Sequence, residues 1–305
     1  MPYTVKKLGG SILSKELFFY NLNKILETTH NNTVFVVSAI KGITDLIIRE
    51  INSRTVLASP EFFAEYIFDF HLQLLDKAHI SKTIKELVLV KMQEEKNSFI
   101  AYIQTQRPDM EAFCLSSGER YACLLVSAYI AEYYQQQSKS AIFSSAGLPC
   151  LFPEDMSAFI NQAILQTKSG TVKKNRILFP DRHCKNIFNL YNIKEAISEK
   201  LTIFPILVFP GFYALTECCH EKKNNNNSIK NIYSKDCKNN RHYILFNRGG
   251  SDFSAILLSA VLQAPCILYK DTGGLLSGDP LFIKNPKLVK EATYHEALSL
   301  AIIPS

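Results

Sequence analysis

The stretch YILFNRGGSDFSAILLSAVL, residues 243–262, combines three signals that decide the fold. Its apolar start, Tyr243–Phe246, predicts a buried strand, and the two glycines after it predict a tight turn. The apolar residues after the turn recur with helical spacing. The stretch therefore predicts a strand, a glycine turn and a helix, with three polar side chains at the turn: Arg248, Ser251 and Asp252.

The same pattern recurs along the chain. YTVKKLGGSIL, residues 3–13, predicts a strand that ends in a Gly-Gly-Ser turn, and residues 16–30 have helical spacing. NNTVFVVSAIKGITDLIIREI, residues 31–51, predicts a buried strand, a polar loop and a helix. Strands that alternate with helices indicate an α/β fold with a mainly parallel sheet covered on both faces.

Other segments carry weaker signals. The sequence predicts mainly helix over residues 58–106, a loop and then a long helix over 114–137, and a final helix over 292–305. It predicts strands within 140–148, within 201–215 (closing on Pro210-Gly211) and within 265–269. Residues 221–241 are rich in lysine and asparagine and nearly free of aliphatic side chains, so we expect a solvated loop or a disordered insertion there.

Composition excludes several classes of protein. With 305 residues, 47% hydrophobic and 20% charged, the chain can bury a sizeable core. The net charge of +6 suits anionic small molecules, although a lysine-rich composition explains it equally well. No basic run alternates with aromatic residues, so no nucleic-acid partner is expected. No pair among the eight cysteines has CxxC spacing, and no stretch predicts a signal peptide or a membrane span. We therefore expect a cytoplasmic protein.

The two Gly-Gly-Ser turns are the first candidate site. Glycine lets the backbone approach a ligand closely, and unpaired N–H groups at the start of a helix favour an anion such as phosphate. Lys7 lies before the first turn and Arg248 before the second, so each adds positive charge. A tight turn alone explains either motif, but two such motifs favour a phosphate site. Neither matches the P-loop or the GxGxxG pattern.

Further polar residues come after predicted strands or begin predicted helices. Ser38 and Thr44 could hold a polar ligand or could cap a helix. Glu119, predicted at a helix start, could bind a substrate ammonium group, or its negative charge could simply be stabilised by the helix dipole. Asp271 and Asp279 could contact a ribose or a metal–nucleotide complex, or could only form turns.

Taken together, the ordered motifs resemble those of the aspartate kinases of the amino acid kinase family. The motifs are VKKLGGSI, VVSAIKGITDL, LSSGERYACLLVSAYI, FPGFYA, FNRGGSDFSAILLSAVL, KDTGGLLSGDP and ATYHEALSLA. The resemblance implies a three-layer α/β/α sandwich in one domain, 1–305, with an amino-acid-binding lobe at 1–215 and a nucleotide-binding lobe at 216–305. No C-terminal ACT domain is present in this sequence, so feedback regulation by lysine or threonine is not expected in its usual form.

The resemblance implies an activity. The enzyme would transfer the γ-phosphate of ATP to the β-carboxylate of L-aspartate and form 4-phospho-L-aspartate. This is the entry step to lysine, threonine, methionine and diaminopimelate. The resemblance also implies Mg²⁺ carried with ATP, no dedicated metal site, and a homo-oligomer.

The resemblance assigns roles to residues. Lys7 would neutralise the transferring phosphoryl group, and Asp252 would bind the substrate or orient Lys7. Glu119 would hold the substrate ammonium and Arg248 its carboxylate, with other substrate contacts from Ser38, Thr44 and Ser251. Phosphate contacts would come from Gly9, Gly10, Ser11, Gly249 and Gly250. Contacts to the rest of the nucleotide would come from Lys270, Asp271, Leu276 and Asp279.

Some positions depart from the family pattern. The opening has Ser11-Ile12 where a Thr-Ser pair is usual, and Leu276 and Leu281 stand where a tyrosine and an arginine are usual. A Gly-Ala-Lys segment that usually comes after EALSLA is not in this sequence. Two alternatives therefore stay open: a degenerate relative that binds a ligand or a partner without turnover, and a kinase for another acidic amino acid.

Overall fold

A computed structural model gives the fold of the protein. It describes residues 2–107, 109–137, 147–156, 159–160, 176–177, 190–217, 241–246, 249–271, 273–279, 282–293 and 295–297. The chain divides into two compact units, Met1–Leu268 and Tyr269–Ser305. None of the helices in these described ranges is long and apolar enough to cross a lipid bilayer.

The core of the first unit is a parallel sheet. Its strands lie in the order β5-β2-β1-β8, with β1 Thr4–Leu8, β2 Thr33–Val37, β5 Ile206–Pro210 and β8 Cys266–Tyr269. β2 pairs in parallel with both neighbours, β1 and β5. Every residue of β2 and β5 is buried, as their continuous apolar sequences predict for the centre of a parallel sheet. The predicted α/β class with a mainly parallel sheet is therefore confirmed.

Helices connect and cover these strands. They are α1 Phe18–Glu27 after β1, α2 Ile43–Asn52 after β2, α7 Leu190–Ile203 before β5, and α8 Gly250–Leu262 before β8. α8 packs against β1 and β2, which places its first turn near the carboxyl ends of these strands. The strand–turn–helix interpretation of residues 243–262 is confirmed on both sides of Asn247 and Arg248, two residues that lie outside the described part.

A helical layer comes after α2, as the sequence predicts for residues 58–106. It consists of α3 Thr55–Ala58, α4 Pro60–Lys77, α5 Lys82–Thr105 and α6 Met110–Gln136. The prediction of a loop at 114–118 is wrong, because α6 runs through these residues. The hydroxyls of Ser116 and Ser117 donate to the carbonyl of Phe113 inside the helix, so the serines do not break it.

A second sheet is formed by four other strands of the first unit. Its order is β3-β6-β7-β4, with β3 Phe159–Ile160, β4 Arg176–Ile177, β6 Tyr213–Glu217 and β7 Arg241–Phe246. β6 and β7 are antiparallel. The buried strand predicted within 201–215, closing on Pro210-Gly211, is confirmed as β5, and the same segment also holds the end of α7 and the start of β6. A short 3₁₀ helix, Pro153–Met156, completes the described part of this region.

The second unit, Tyr269–Ser305, contains little regular structure in its described residues. Leu276 forms an isolated antiparallel bridge with Leu288, and the amide of Val289 donates to the carbonyl of Leu275 over 2.7 Å. His295–Ala297 is helical, in agreement with the helix predicted near the end of the chain. The strand predicted within 140–148 lies largely outside the described residues, as do Leu281 and nearly all of the predicted insertion.

Candidate functional site

An ion pair joins the carboxyl end of β1 to the first turn of α8. The ammonium nitrogen of Lys7 lies 2.7 Å from Oδ1 of Asp252, and the two side chains are only 9% and 20% exposed. A charge pair this sheltered from water is strong in attraction, but both groups lose hydration to form it. The arrangement holds a lysine side chain, largely out of solvent, between two glycine turns.

The first glycine turn packs tightly against the loop after β2. A Cβ atom on Gly10 would lie 2.8 Å from the carbonyl oxygen of Ala39. A Cβ on Gly118 of α6 would lie 2.7 Å from the Cβ of the same alanine. Both contacts are shorter than any side chain tolerates, so glycine is required for this approach. Ala39 thus fixes the spacing between the turn after β1 and helix α6.

Glu119 comes directly after Gly118 and projects from the middle of α6. The residue is 4% exposed, and its Oε2 has no hydrogen-bond partner in the described part of the chain. Burial raises the pKa of this carboxyl to about 8, although the N–H of Ala39, its own N–H and the positive charge of Lys7 all act in the opposite direction. The predicted position at a helix start is wrong, since α6 begins at Met110. The helix dipole therefore does not explain this carboxyl, because that effect is confined to the first turn.

The two glycine turns lead into different local structures. After the second turn, α8 begins at once, and its N-cap residue Gly249 has a φ of +79°, which glycine adopts without strain. After the first turn, the carbonyl of Gly9 accepts the amides of Ile12 and Leu13, and α1 begins only at Phe18. The helix predicted over residues 16–30 is thus confirmed as α1, which does not begin at the turn itself.

Ser251 and Ser38 lie at the same edge of the sheet. Ser251 is 7% exposed, and Gly211, just past β5, packs so closely that an added Cβ would lie 2.7 Å from the Cβ of Ser251. The amide of Ser38 donates to the carbonyl of Leu8 over 3.0 Å. The ends of β1, β2 and β5 and the start of α8 therefore meet at one place, as the carboxyl ends of parallel strands do in doubly wound sheets.

Capping, the alternative for Ser38 and Thr44, is not observed. The N-cap of α2 is Gly42, and no side-chain hydrogen bond caps the helix. Thr44 is the second residue of α2 and is half-buried. Neither hydroxyl is committed to the helix end.

The remaining predicted site residues are Arg248 and four residues of the second unit. Arg248 is outside the described residues. In the second unit, Lys270 and Asp271 are both exposed, and Leu276 is half-buried in its bridge with Leu288. The backbone carbonyl of Asp279 accepts the amides of Phe282 and Ile283, which supports the turn interpretation of that residue without testing its role toward a nucleotide.

Sequence reasoning missed one residue of this site, Ala39. Its amide reaches Glu119 and its carbonyl faces Gly10, so it acts through the backbone. No side-chain signal could have found it. Its contact partners Gly10 and Gly118 carried the only sign, since a glycine inside a helix often marks a close approach.

The arrangement combines three chemical capacities. A sheltered lysine can neutralise an anion, and backbone N–H groups at the start of α8 can bind phosphate oxygens. A buried carboxyl without a partner for one oxygen can accept hydrogen bonds from a cationic group such as an ammonium. These features suit a ligand with both anionic and cationic groups beside a phosphate.

Comparison with known proteins identifies the family of the chain. The model of the amino acid kinase family matches residues 2–302. The bifunctional aspartokinase/homoserine dehydrogenase of Buchnera aphidicola is 22% identical over 97% of this chain and 31% of its own length. Aspartokinase 3 of Bacillus subtilis is 22% identical over 97% of this chain and 55% of its own length. The chain thus spans about a third to about half of these two relatives.

Solved structures support the same fold. The aspartate kinase of Clostridium acetobutylicum superposes with a TM-score of 0.61 at 18% identity, over 98% of this chain and 54% of the other. Escherichia coli aspartokinase III, in its complex with aspartate and ADP, gives 0.61 at 18% identity over 98% and 56%. From the match over nearly its whole length, the chain belongs to the amino acid kinase family.

Proposed function

We propose that the protein is an aspartate kinase that uses ATP to phosphorylate the β-carboxylate of L-aspartate. One carboxylate oxygen forms a bond to the γ-phosphorus while the bond from that phosphorus to the β–γ bridging oxygen breaks. The products are 4-phospho-L-aspartate and ADP. The observation that carries the proposal is the Lys7–Asp252 ion pair between the two glycine turns, next to the buried carboxyl of Glu119.

Lys7 and the turns would act on the phosphoryl group. Phosphoryl transfer depends mainly on positioning and on neutralising charge, so a fixed lysine is well suited to it. Asp252 holds the lysine ammonium at 2.7 Å and so restricts where it points. The N–H groups of the turns would bind phosphate oxygens: Gly9, Gly10, Ser11, Gly249 and Gly250.

Glu119 would bind the substrate ammonium. A cation at Oε2 would give that atom the partner it lacks among the described residues and would favour the charged carboxylate, which burial disfavours. Arg248 would pair with a substrate carboxylate, because its planar fork matches carboxylate geometry. The remaining substrate contacts would come from Ser38, Thr44 and Ser251.

The nucleotide and its metal ion would complete the site. Lys270, Asp271, Leu276 and Asp279 would contact ATP, as the resemblance implies. Mg²⁺, carried with the nucleotide, would supply positive charge to the phosphates. Among the described residues, no group of three or more His, Cys, Asp or Glu side chains could hold a metal ion by itself. Mg²⁺ commonly binds through substrate phosphates and one or two carboxylates, so an ion carried with ATP would need no such group.

The resemblance implies a place in metabolism, two lobes and an assembly state, which extend the proposal. An aspartate kinase would supply the acyl phosphate from which lysine, threonine, methionine and diaminopimelate are made. The assignment of residues 1–215 to the amino acid and of 216–305 to the nucleotide, and assembly as a homo-oligomer, remain predictions.

The direct test traps the acyl phosphate with hydroxylamine in the presence of ATP and Mg²⁺. Acceptors are aspartate, glutamate, N-acetylglutamate and none, and we expect hydroxamate with aspartate only. Turnover with glutamate instead would favour the kinase for another acidic amino acid. Binding of ATP or aspartate by folded protein without any turnover would favour the degenerate relative.

Neighbouring lysines on β1 provide a matched pair of variants. Lys7→Met should lower kcat by about 100- to 1,000-fold, the usual loss when one charge-stabilising donor is removed. Lys6→Met should retain activity, because the Lys6 ammonium bonds instead to Thr29 Oγ1 at 2.8 Å and to the Thr28 carbonyl at 3.3 Å. Equal activity in both variants would exclude Lys7 from the reaction.

A further inference from the structure

A buried cluster of polar side chains, the Arg120 cluster, lies on α6 directly after Glu119. It consists of Arg120, Glu95 of α5, Glu154 of the 3₁₀ helix, Tyr213 of β6 and Tyr243 of β7. Nε and Nη2 of Arg120 donate to the two carboxylate oxygens of Glu95 over 2.5 and 2.7 Å. Nη1 donates to Glu154 and, over 2.8 Å, to the hydroxyl of Tyr213.

The cluster is closed by its tyrosines. The hydroxyl of Tyr243 donates to Oε1 of Glu154 over 2.6 Å, and that of Tyr213 donates to Oε2 over 3.3 Å. Four aromatic rings surround the guanidinium, with centroids 5.1 to 5.8 Å from its carbon: Phe113, Phe152, Tyr213 and Tyr243. The guanidinium is therefore paired and almost fully buried, while the Glu95 and Glu154 side chains are paired and remain 14% and 27% exposed. Pairing from several directions makes the geometry of the cluster well defined.

One end of this cluster leads to the substrate side of the site. Arg120 comes directly after Glu119 in α6, and Gly118 is in contact with Ala39. A rotation or shift of this helix turn would move the Glu119 carboxyl away from the amide of Ala39. Anchoring Arg120 therefore fixes Glu119.

The other end leads to the first turn of α8. Tyr213 comes directly after Phe212, whose amide donates to Ser254 Oγ over 3.2 Å. A Cβ added to Gly250 would lie 2.8 Å from the ring of Phe212 and 2.8 Å from the Cβ of Phe246, three residues after Tyr243. Both tyrosines of the cluster thus lie on strands whose ends pack against the start of α8, the helix that carries Asp252.

We propose that Arg120 is a positioning residue that sets the distance between Glu119 and the Lys7–Asp252 pair. This inference rests on the proposed function, in which Glu119 binds the substrate ammonium and the Lys7–Asp252 pair acts at the other end of the substrate, where the phosphoryl group is transferred. Arg120 touches neither substrate nor phosphate. It acts by clamping α6 to β6 and β7, and so to the start of α8.

The proposal depends on the shape of the guanidinium as well as on its charge. Only a planar fork can bind both oxygens of Glu95 while a third nitrogen reaches Glu154 and Tyr213. A lysine would keep the charge and lose the fork. Arg120→Lys should therefore disturb the alignment of Glu119 with the Lys7–Asp252 pair. If the positive charge alone were enough, the alignment would be kept.

Tyr213→Phe is the mildest way to disturb the clamp. It removes the hydroxyl that joins Arg120 to β6 and leaves the ring in place. Tyr121→Phe is the matched control, because Tyr121 lies on α6, the helix of Arg120, is fully buried, and donates its hydroxyl to the carbonyl of Met92 on α5 over 3.3 Å. The control removes a buried hydroxyl from the same helix without touching β6, β7 or α8.

The first measurement is amide hydrogen exchange of the protein without ligands. Tyr213→Phe should speed exchange of the Phe212 and Phe253 amides by about 10-fold relative to Tyr121→Phe, once the two variants are compared at matched global stability. The second measurement is steady-state kinetics with aspartate. Tyr213→Phe and Arg120→Lys should lower kcat by about 10- to 100-fold, as misplacement of reacting groups does, with a smaller change in the KM for ATP.

The outcomes separate this inference from the proposed function. If the wild-type protein transfers no phosphate, the proposed function fails, while the exchange comparison still decides whether the cluster holds the start of α8. The inference is overturned if Tyr213→Phe matches Tyr121→Phe in exchange at Phe212 and Phe253. It is also overturned if exchange differs as expected but kcat in an active enzyme does not change.

Discussion

Glu119 and Arg120 are consecutive in α6 and both are buried, but they meet opposite surroundings. The guanidinium of Arg120 is met by two carboxylates and a tyrosine hydroxyl from other elements. Oε2 of Glu119 has no hydrogen-bond partner among the described residues. A buried charge that is fully paired holds elements together, whereas a buried carboxyl with one unpaired oxygen destabilises the protein without its ligand. The second kind is expected where a ligand supplies the partner.

The largest effect should come from breaking the paired side of this comparison. Arg120→Met should lower the free energy of unfolding by about 3 kcal/mol, the lower end of the range for breaking a buried pair, because it leaves the half-buried Glu95 and Glu154 carboxylates without their cation. Urea denaturation at pH 7 measures this. Arg49→Met is the control: the Arg49 side chain is 70% exposed in its pair with Glu50, so little change is expected. A loss for Arg120→Met as small as the control would contradict the comparison.

Removing the charge of Glu119 should stabilise the protein, the opposite of the effect of removing the charge of Arg120. Folding raises the pKa of Glu119 from 4.5 to about 8, so its contribution is fully favourable below pH 4.5 and is lost as the pH rises through 8. Glu119→Gln cannot ionise and should therefore gain stability over wild type as the pH rises, on the order of 3 kcal/mol by pH 9. Chemical denaturation at pH 5, 7 and 9 measures the gain, and parallel profiles would refute it.

Glu154 provides the contrast in pH dependence. Although burial raises its pKa, the Arg120 guanidinium and the Tyr243 hydroxyl together hold the pKa of this carboxyl below its usual value. Its stabilising contribution is therefore present above the unfolded pKa and lost as the pH falls through the folded pKa. Glu154→Gln should be most destabilising at neutral pH and should converge with wild type in acid, as urea denaturation at pH 7 and pH 3 would show.

His71 tests whether every buried polar atom without a partner marks a ligand site. Its Nε2 is also buried without a hydrogen-bond partner in the described residues, while Nδ1 contacts the Ile67 carbonyl and the ring stacks on Tyr121 at 4.7 Å. Burial lowers its pKa to about 4 despite the Ile67 hydrogen bond, so stability should fall by about 2 kcal/mol as the pH drops from 6.5 towards 4. His71→Phe should flatten that slope and keep kinase activity. Loss of activity would mean that this histidine also belongs to a site.

The smallest effect is expected from Tyr121→Phe. Its hydroxyl makes one buried bond, to the Met92 carbonyl, so the loss should be about 1 kcal/mol or less. Thermal unfolding measures this. A larger loss would mean that α6 depends on single hydroxyls throughout, and the contrast between its two neighbouring charges would lose its significance.

Local pattern predicted the parts of the fold that it controls. The apolar runs of β1 and β2 and the strand–turn–helix around Gly249 follow from periodicity and glycine placement. The start of α6 could not be predicted, because Ser116, Ser117 and Gly118 resemble a loop in the sequence. In the structure Gly118 packs against Ala39, and the two serine hydroxyls donate to the Phe113 carbonyl within the helix. Contacts with a distant segment overrode local propensity there.

The site divides in the same way. Lys7 and Asp252 are far apart in sequence, and no periodicity joins them; the resemblance to a family brought them together. The Arg120 cluster had no signal at all, because Glu95 and Glu154 approach from two separate elements. The partners of a buried charge are set by the tertiary fold, and single-sequence patterns do not carry that information.

The unpartnered oxygen of Glu119 has a consequence for calorimetry. At pH 7, with a pKa of about 8, this carboxyl is mostly protonated in the empty protein. A bound ammonium favours the carboxylate, so each aspartate that binds should expel a proton into the buffer. The heat of binding measured in Tris and in phosphate should then differ in proportion to the ionisation enthalpies of the two buffers, and the difference should vanish in Glu119→Gln.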